Sequence, residues 1–158
     1  RLEPAESTVA ERRQLLKALR DAGIPTVVTL GPVLPYLTDS LENLQTLLAD
    51  CVDAKVYGVL LNGFGVTLRA GASAYFFSCL RELSPELPEA YEALLPPGKA
   101  GKTASFLSPN AEALAEFFET STAACGLVTD PEDLFAFRHA FQDRRSGQQL
   151  SLFDLYDL

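Results

Sequence analysis

Residues 25–35 read Pro25-Thr26-Val27-Val28-Thr29-Leu30-Gly31-Pro32-Val33-Leu34-Pro35, a β-branched run closed by glycine and proline. Branched side chains suit a pleated strand, and a run this short between Pro25 and Gly31 predicts a buried one ending at Leu30. Downstream, Val56-Tyr57-Gly58-Val59-Leu60-Leu61 has the same character and predicts a second strand. Between the two, Asp39 and Glu42 stand at capping-box spacing, and Leu44, Leu47, Leu48 and Cys51 fall at i, i+3, i+4 and i+7. That spacing predicts a helix from Ser40 to Asp53 opened by Asp39. Upstream, Thr8 and Glu11 repeat the box, and Leu15, Leu16, Leu19 and Ala22 recur at helical intervals up to Gly23, which predicts a helix from Thr8 to Ala22. Helix, strand, helix, strand at this spacing is the pattern of parallel βα units, so the expected fold class is α/β. Two parallel strands do not stand alone, because parallel sheets are covered on both faces and hold several strands. The remaining strands are expected from outside this chain, which makes it half of an α/β barrel.

After Leu61 the pattern turns helical. Helices are predicted over 72–83, over 85–95, from Ser108-Pro109, an N-cap with proline at the first helical position, to about Ala124, and from Asp130-Pro131 towards Phe141. The organisation expected is a partial βα barrel over 1–71, a helical extension over 72–141, and a flexible linker with a docking tail over 142–158.

Composition narrows the function. The chain has 158 residues, 47% hydrophobic and 22% charged, enough for one domain with a core. Its net charge of −8 repels a phosphate backbone, which excludes direct nucleic-acid binding by this piece. No run of eighteen apolar residues and no signal peptide is present, so no membrane association and a cytoplasmic location are expected. Cys51, Cys79 and Cys125 are too far apart to suggest a disulfide framework or a metal motif and are expected to be buried free thiols. The chain opens on Arg1 and lacks methionine, which points to processing or to a longer parent. Pro96-Pro97-Gly98-Lys99-Ala100-Gly101-Lys102-Thr103 imitates a phosphate loop, but the glycine such a loop needs at position 96 is Pro96, and no strand precedes it. A basic linker between helices is the reading kept. His139, on a helix with Phe135 and Phe137, has no nucleophile or acid placed beside it by spacing and reads as a surface or structural residue.

In βα architectures ligands sit beyond the carboxyl ends of the strands. The loop Gly31-Pro32-Val33-Leu34-Pro35 is apolar and stiff, suited either to a plain βα turn or to presenting its carbonyls and amides to a flat ligand such as adenine. The second loop, 62–71, places Asn62 at the strand tip and carries Arg69, either an anion-binding group or half of a salt bridge to a helix carboxylate.

These segments, Ala22-Gly23-Ile24-Pro25 before the strand, Gly31 to Pro35 with Asp39 beyond, Gly63-Phe64-Gly65-Val66-Thr67-Leu68-Arg69, Tyr75-Phe76-Phe77, and Ser108-Pro109-Asn110, resemble the carboxyl half of radical S-adenosylmethionine proteins of the spore-photoproduct-lyase-like type, often labelled DNA repair photolyases. The resemblance implies a partial (β/α)6 barrel whose amino half carries a C-x-x-x-C-x-x-C triplet. There the triplet holds a four-iron four-sulfur (4Fe-4S) cluster that cleaves S-adenosylmethionine reductively. It further implies that Gly31, Pro32, Val33, Leu34 and Pro35 lie against the adenosine, with Asn62 and Arg69 facing cofactor or substrate. This chain has no such triplet, so the missing amino half of the barrel is an expected partner, and the isolated chain is expected to hold no cofactor and to be catalytically silent.

Beyond the polar stretch 142–148, Gln149-Leu150-Ser151-Leu152-Phe153 is similar to the Q-L-[SD]-L-F pentapeptide by which many bacterial replication and repair proteins dock on the DNA polymerase sliding clamp. Leu150, Leu152 and Phe153 fill apolar pockets in that arrangement while Gln149 bonds at the rim. The alternatives are that these residues alternate as a strand or pack back on the domain. A non-catalytic module that docks on the clamp is the alternative function.

Overall fold

The computed structural model describes residues 6–69, 71–95 and 104–140. In chain order the elements are α1 (Val9–Asp21), β1 (Val27–Leu30), α2 (Leu41–Asp53), β2 (Gly58–Leu61), β3 (Gly65–Leu68), α3 (Ala72–Leu83), α4 (Leu87–Ala93), β4 (Ala104–Leu107), α5 (Ala111–Cys125) and α6 (Pro131–His139). The fold is mixed α/β, with no closed barrel among the described residues.

The βα reading of the first half holds. β1 and β2 pair in parallel, with Val27 opposite Gly58 and Leu30 opposite Leu61, and α2 forms the crossover between them. Thr8 caps α1 through the full capping box: its hydroxyl accepts from the Glu11 amide and the Glu11 carboxylate accepts from the Thr8 amide. Alternation sends Val28, Leu30, Val59 and Leu61 to one face, where they meet Leu44, Leu48 and Cys51 of α2 and Leu114 and Phe118 of α5 in the first core. The other edge of β2 receives one residue from beyond α5: Val128 bridges Gly58 in parallel, and its carbonyl accepts from the Val59 amide at 2.8 Å. Among the described residues β1 pairs with β2 alone, so its second edge carries no strand.

The second half departs from expectation. Residues 62–71, expected as a loop, contain β3, and Ser105, Phe106 and Leu107, expected as a lead-in to a helix, lie in β4. The two strands pair antiparallel, with Gly65 opposite Leu107 and Leu68 opposite Ala104, across the 71/72 boundary that the sequence suggested. Sequence-local patterning missed them because each is four residues long and finds its partner almost 40 positions away. With α3 and α4 they enclose a second core of Leu68, Phe76, Leu80, Tyr91 and Phe106. The unit is an excursion inserted between β2 and α5.

Three smaller expectations are corrected. Ser40, not Asp39, caps α2, accepting from the Asn43 amide at 3.1 Å, while the Asp39 carboxylate accepts from Ser108 and Asn110 instead. α5 starts at Ala111 rather than at Pro109. Of the three thiols only Cys51 is buried; Cys79 is half-buried, and Cys125, in the last turn of α5, is exposed. The linker 96–103, the stretch 141–148 and the pentapeptide Gln149-Leu150-Ser151-Leu152-Phe153 lie outside the described residues.

Candidate functional site

The carboxyl ends of β1 and β2 bring Gly31 and Asn62 side by side. The Asn62 amide donates to the Leu30 carbonyl at 2.9 Å, and a Cβ placed on Gly31 stands 2.9 Å from the Asn62 Cβ. With φ at 137°, Gly31 also occupies backbone space closed to side-chain-bearing residues, so two separate constraints select glycine here. The Gly31–Pro32 peptide is cis.

From Pro32 onward the loop is gripped from several sides. The Leu34 carbonyl accepts from the Leu37 and Thr38 amides, and the Thr38 hydroxyl accepts from the Leu34 amide at 2.8 Å. From α2, the Asn43 side-chain amide donates to the Thr38 carbonyl at 2.8 Å. From α4, the buried Tyr91 hydroxyl donates to the Pro35 carbonyl at 2.8 Å. Burial, with Asp39 and Tyr36 close by, pushes the Tyr91 hydroxyl well above its ordinary value, so it remains a protonated donor.

Asp39 anchors the far end. Only 6% of its surface is exposed. Its carboxylate accepts from the Ser108 hydroxyl at 2.6 Å and from the Asn110 side-chain amide at 3.5 Å, which also donates to the Asp39 carbonyl at 3.2 Å. Ser108 in turn accepts from the Asn110 amide at 3.0 Å and donates its own amide to Phe64 at 2.9 Å. A buried carboxylate needs such donors, and they come from the Ser108-Pro109-Asn110 turn that closes the excursion. Sequence reasoning named Asp39 as a cap and missed this role. The available signal was the adjacent Ser40, which caps alone.

The grip decides which loop groups remain available. Gly31 and Pro32 are exposed and Val33 and Leu34 are half-buried, whereas Pro35 is buried with its carbonyl taken. Leu34 has both its amide and its carbonyl engaged within the loop, so backbone recognition of a ligand falls to Gly31–Val33. Beside them lies a cavity of about 220 Å³, its walls including Gly31, Pro32, Val33, Phe64 and Leu114, with Thr38 and Asn43 as polar members. That is somewhat below the range that encloses a whole drug-sized ligand. Arg69 follows directly on β3, whose last residue is Leu68. It is exposed and makes no ion pair among the described residues.

Cys51, Cys79 and Cys125 sit on three different helices, and no three metal-capable side chains converge among the described residues. A 4Fe-4S cluster, which needs closely arranged thiolates, does not fit them. No described helix is long and apolar enough to cross a membrane.

No family model and no solved structure matches the chain. Uncharacterized proteins of Mycobacterium tuberculosis, strains H37Rv and CDC 1551, and of Mycobacterium bovis are each 38% identical to it over 93 residues. The matched stretch is 59% of this chain and 27% of each relative's length, so the relatives extend far beyond it.

Proposed function

We propose that the chain is the carboxyl-side portion of a radical S-adenosylmethionine enzyme resembling the spore-photoproduct-lyase-like proteins, and that it supplies strand-end groups to a site completed by strands from elsewhere in a longer protein. One observation carries this reading: Gly31 and Asn62 meet at the carboxyl ends of two parallel strands whose sheet, among the described residues, has an open edge at β1. Ligands of βα folds bind at that end, and an unpaired parallel edge calls for a neighbouring strand. In this reading the partial (β/α)6 barrel is completed on the β1 side. The exposed backbone of Gly31 and Pro32, with Val33 beside it, lies against the adenosine, and Asn62 bonds at its rim. The cluster, which in that family supplies reductive cleavage of S-adenosylmethionine, belongs to the amino-side portion, since the thiols described here do not fit it.

The test uses a chain that includes the sequence encoded before Arg1. After anaerobic loading with iron and sulfide, it is expected to show the electron paramagnetic resonance of a reduced 4Fe-4S cluster and to cleave S-adenosylmethionine. An iron-free product removes the proposal.

The segment Gln149–Phe153 supports a second role, recruitment to the DNA polymerase sliding clamp, which as a function in its own right makes the chain a non-catalytic docking module. Truncating two pocket-filling residues of such a peptide costs about 2 kcal/mol or more. Leu152→Ala with Phe153→Ala is therefore expected to weaken clamp binding at least about thirtyfold, and equal affinity removes the clamp reading.

A further inference from the structure

Among the described residues the β1–β2 sheet is covered fully on one face and only at one end of the other. Val27, Thr29 and Leu60 point away from α2 and α5, Thr29 is exposed, and a cavity of about 310 Å³ lies against them. α6 closes one end of this face: Leu134 is buried, and Phe137 stacks on Tyr57 with ring centres 3.7 Å apart. Beside it Phe135 lines the cavity with 52% of its surface exposed. Parallel sheets bury both faces, so in this chain without the strands that would complete a barrel an apolar face of this kind demands an occupant.

We propose that the occupant is the chain's own segment 150–158. α6 ends at His139, and its Phe135 and Phe137 line the cavity, so residues 141–158 depart from beside the face they would cover. Eighteen residues reach about 60 Å when extended, so the tether does not limit access. Six of the nine residues, Leu150, Leu152, Phe153, Leu155, Tyr156 and Leu158, are apolar or aromatic. The cavity wall holds no carboxylate to repel the two acids among them, Asp154 and Asp157. A segment on a short tether acts at roughly millimolar effective concentration, which favours it over a second copy of the chain at micromolar concentration.

The docking competes with the clamp reading, on which this consequence rests, because Leu152 and Phe153 cannot fill both surfaces at once. A docked segment is hidden, and the apparent Kd for the clamp rises by the reciprocal of the free fraction.

The chain contains no tryptophan, so Phe135→Trp installs a single reporter at the mouth of the cavity. Its emission in the full chain is expected to be that of a shielded indole and to shift to the red when Leu155→Ser and Leu158→Ser are added, with circular dichroism confirming an unchanged fold. Emission identical with and without those two changes overturns the proposal. A shielded emission lost on dilution assigns the face to a second copy and overturns it as well.

A second arm needs no tryptophan. Leu155 and Leu158 lie outside Gln149–Phe153, so the same double substitution in the otherwise natural chain is expected to lower the apparent Kd for a purified bacterial sliding clamp at least about twofold, the factor for a segment docked half of the time. An unchanged Kd overturns the docking. Failure of both versions to bind the clamp removes the clamp reading alone, and the tryptophan emission then decides the docking by itself.

Discussion

At Asp39 a carboxylate is held almost out of water by one hydroxyl at 2.6 Å and one side-chain amide at 3.5 Å. Hydrogen bonds to a buried charge are worth more than neutral ones, because the charge has no water to return to. Ser108→Ala is expected to cost about 2 kcal/mol of stability, read as a lowered urea midpoint with an unchanged slope. Asp39→Asn, which keeps an acceptor and gives up the charge, is expected to cost less. Tyr91→Phe strips the Pro35 carbonyl of its buried donor and is expected to cost about 1–3 kcal/mol in the same assay. Gly31→Ala meets two penalties, the contact with the Asn62 Cβ and the positive φ. Adding Asn62→Gly relieves the first alone, so the double variant is expected to recover part of the loss. Full recovery would show that the backbone at residue 31 relaxes freely.

Among elements, α1 is the least committed to the core. None of its residues is buried, and Leu15 leaves 59% of its surface exposed. It is tied to α2 by Arg13 to Asp50 at 2.5 Å and by Lys17 to Asp53 at 2.8 Å, with the Arg20 guanidinium donating to the Asp53 carbonyl at 2.8 Å. The Lys17 hydrogen bond, then the Lys17 and Arg20 charges, hold Asp53 below the ordinary carboxylate value. With the folded value below the unfolded one, the contribution is present at neutral pH and fades as pH falls below about 4. Amide exchange in α1 is therefore expected to quicken below that pH before exchange in α2 does, and Asp53→Asn is expected to remove the difference. Cys51 behaves in the opposite sense: burial, with Asp50 adding to it, pushes its thiol up to about 11. Its contribution holds below the unfolded thiol value of about 8.5 and is lost as pH rises towards 11. At pH 8 an alkylating reagent is expected to label exposed Cys125 first and Cys51 only on unfolding. A further constraint sits at Gly58, where an added Cβ stands 2.3 Å from the Val128 carbonyl oxygen and 2.6 Å from Leu134. Gly58→Ala is expected to loosen α6, because a backbone carbonyl cannot step aside as a side chain can.

Across the whole molecule, β1, α2, β2, α5 and Val128 trace successive parallel βα steps, the last reduced to a single bridge, with the β3–α3–α4–β4 excursion threaded between. The strand-end loop joins the two cores, Val33 packing into the first and Leu34 and Leu37 into the second. Asp39, Ser108 and Tyr91 thus couple the excursion to the loop that would face a ligand. The open edge of β1 makes a prediction at this scale. Amides of Val27–Leu30 are expected to exchange faster in this chain than in one that includes the sequence encoded before Arg1, where an added strand protects them. Equal exchange in the two removes barrel completion at β1.

The amino-acid sequence by itself determined the parallel βα unit, because its signals are local: a β-branched run between Pro25 and Gly31, leucines at helical spacing in α2, and a Thr8–Glu11 box that caps α1 as the spacing said. It marked Gly31 and Asn62 as strand-end residues for the same reason. Tertiary structure alone decided the pairing of β3 with β4, the burial of Asp39 against Ser108 and the hydrogen bond from Tyr91 to Pro35. Those contacts join positions 36 to 69 residues apart, and no short window of sequence holds both partners of a bond that only the packed chain brings together.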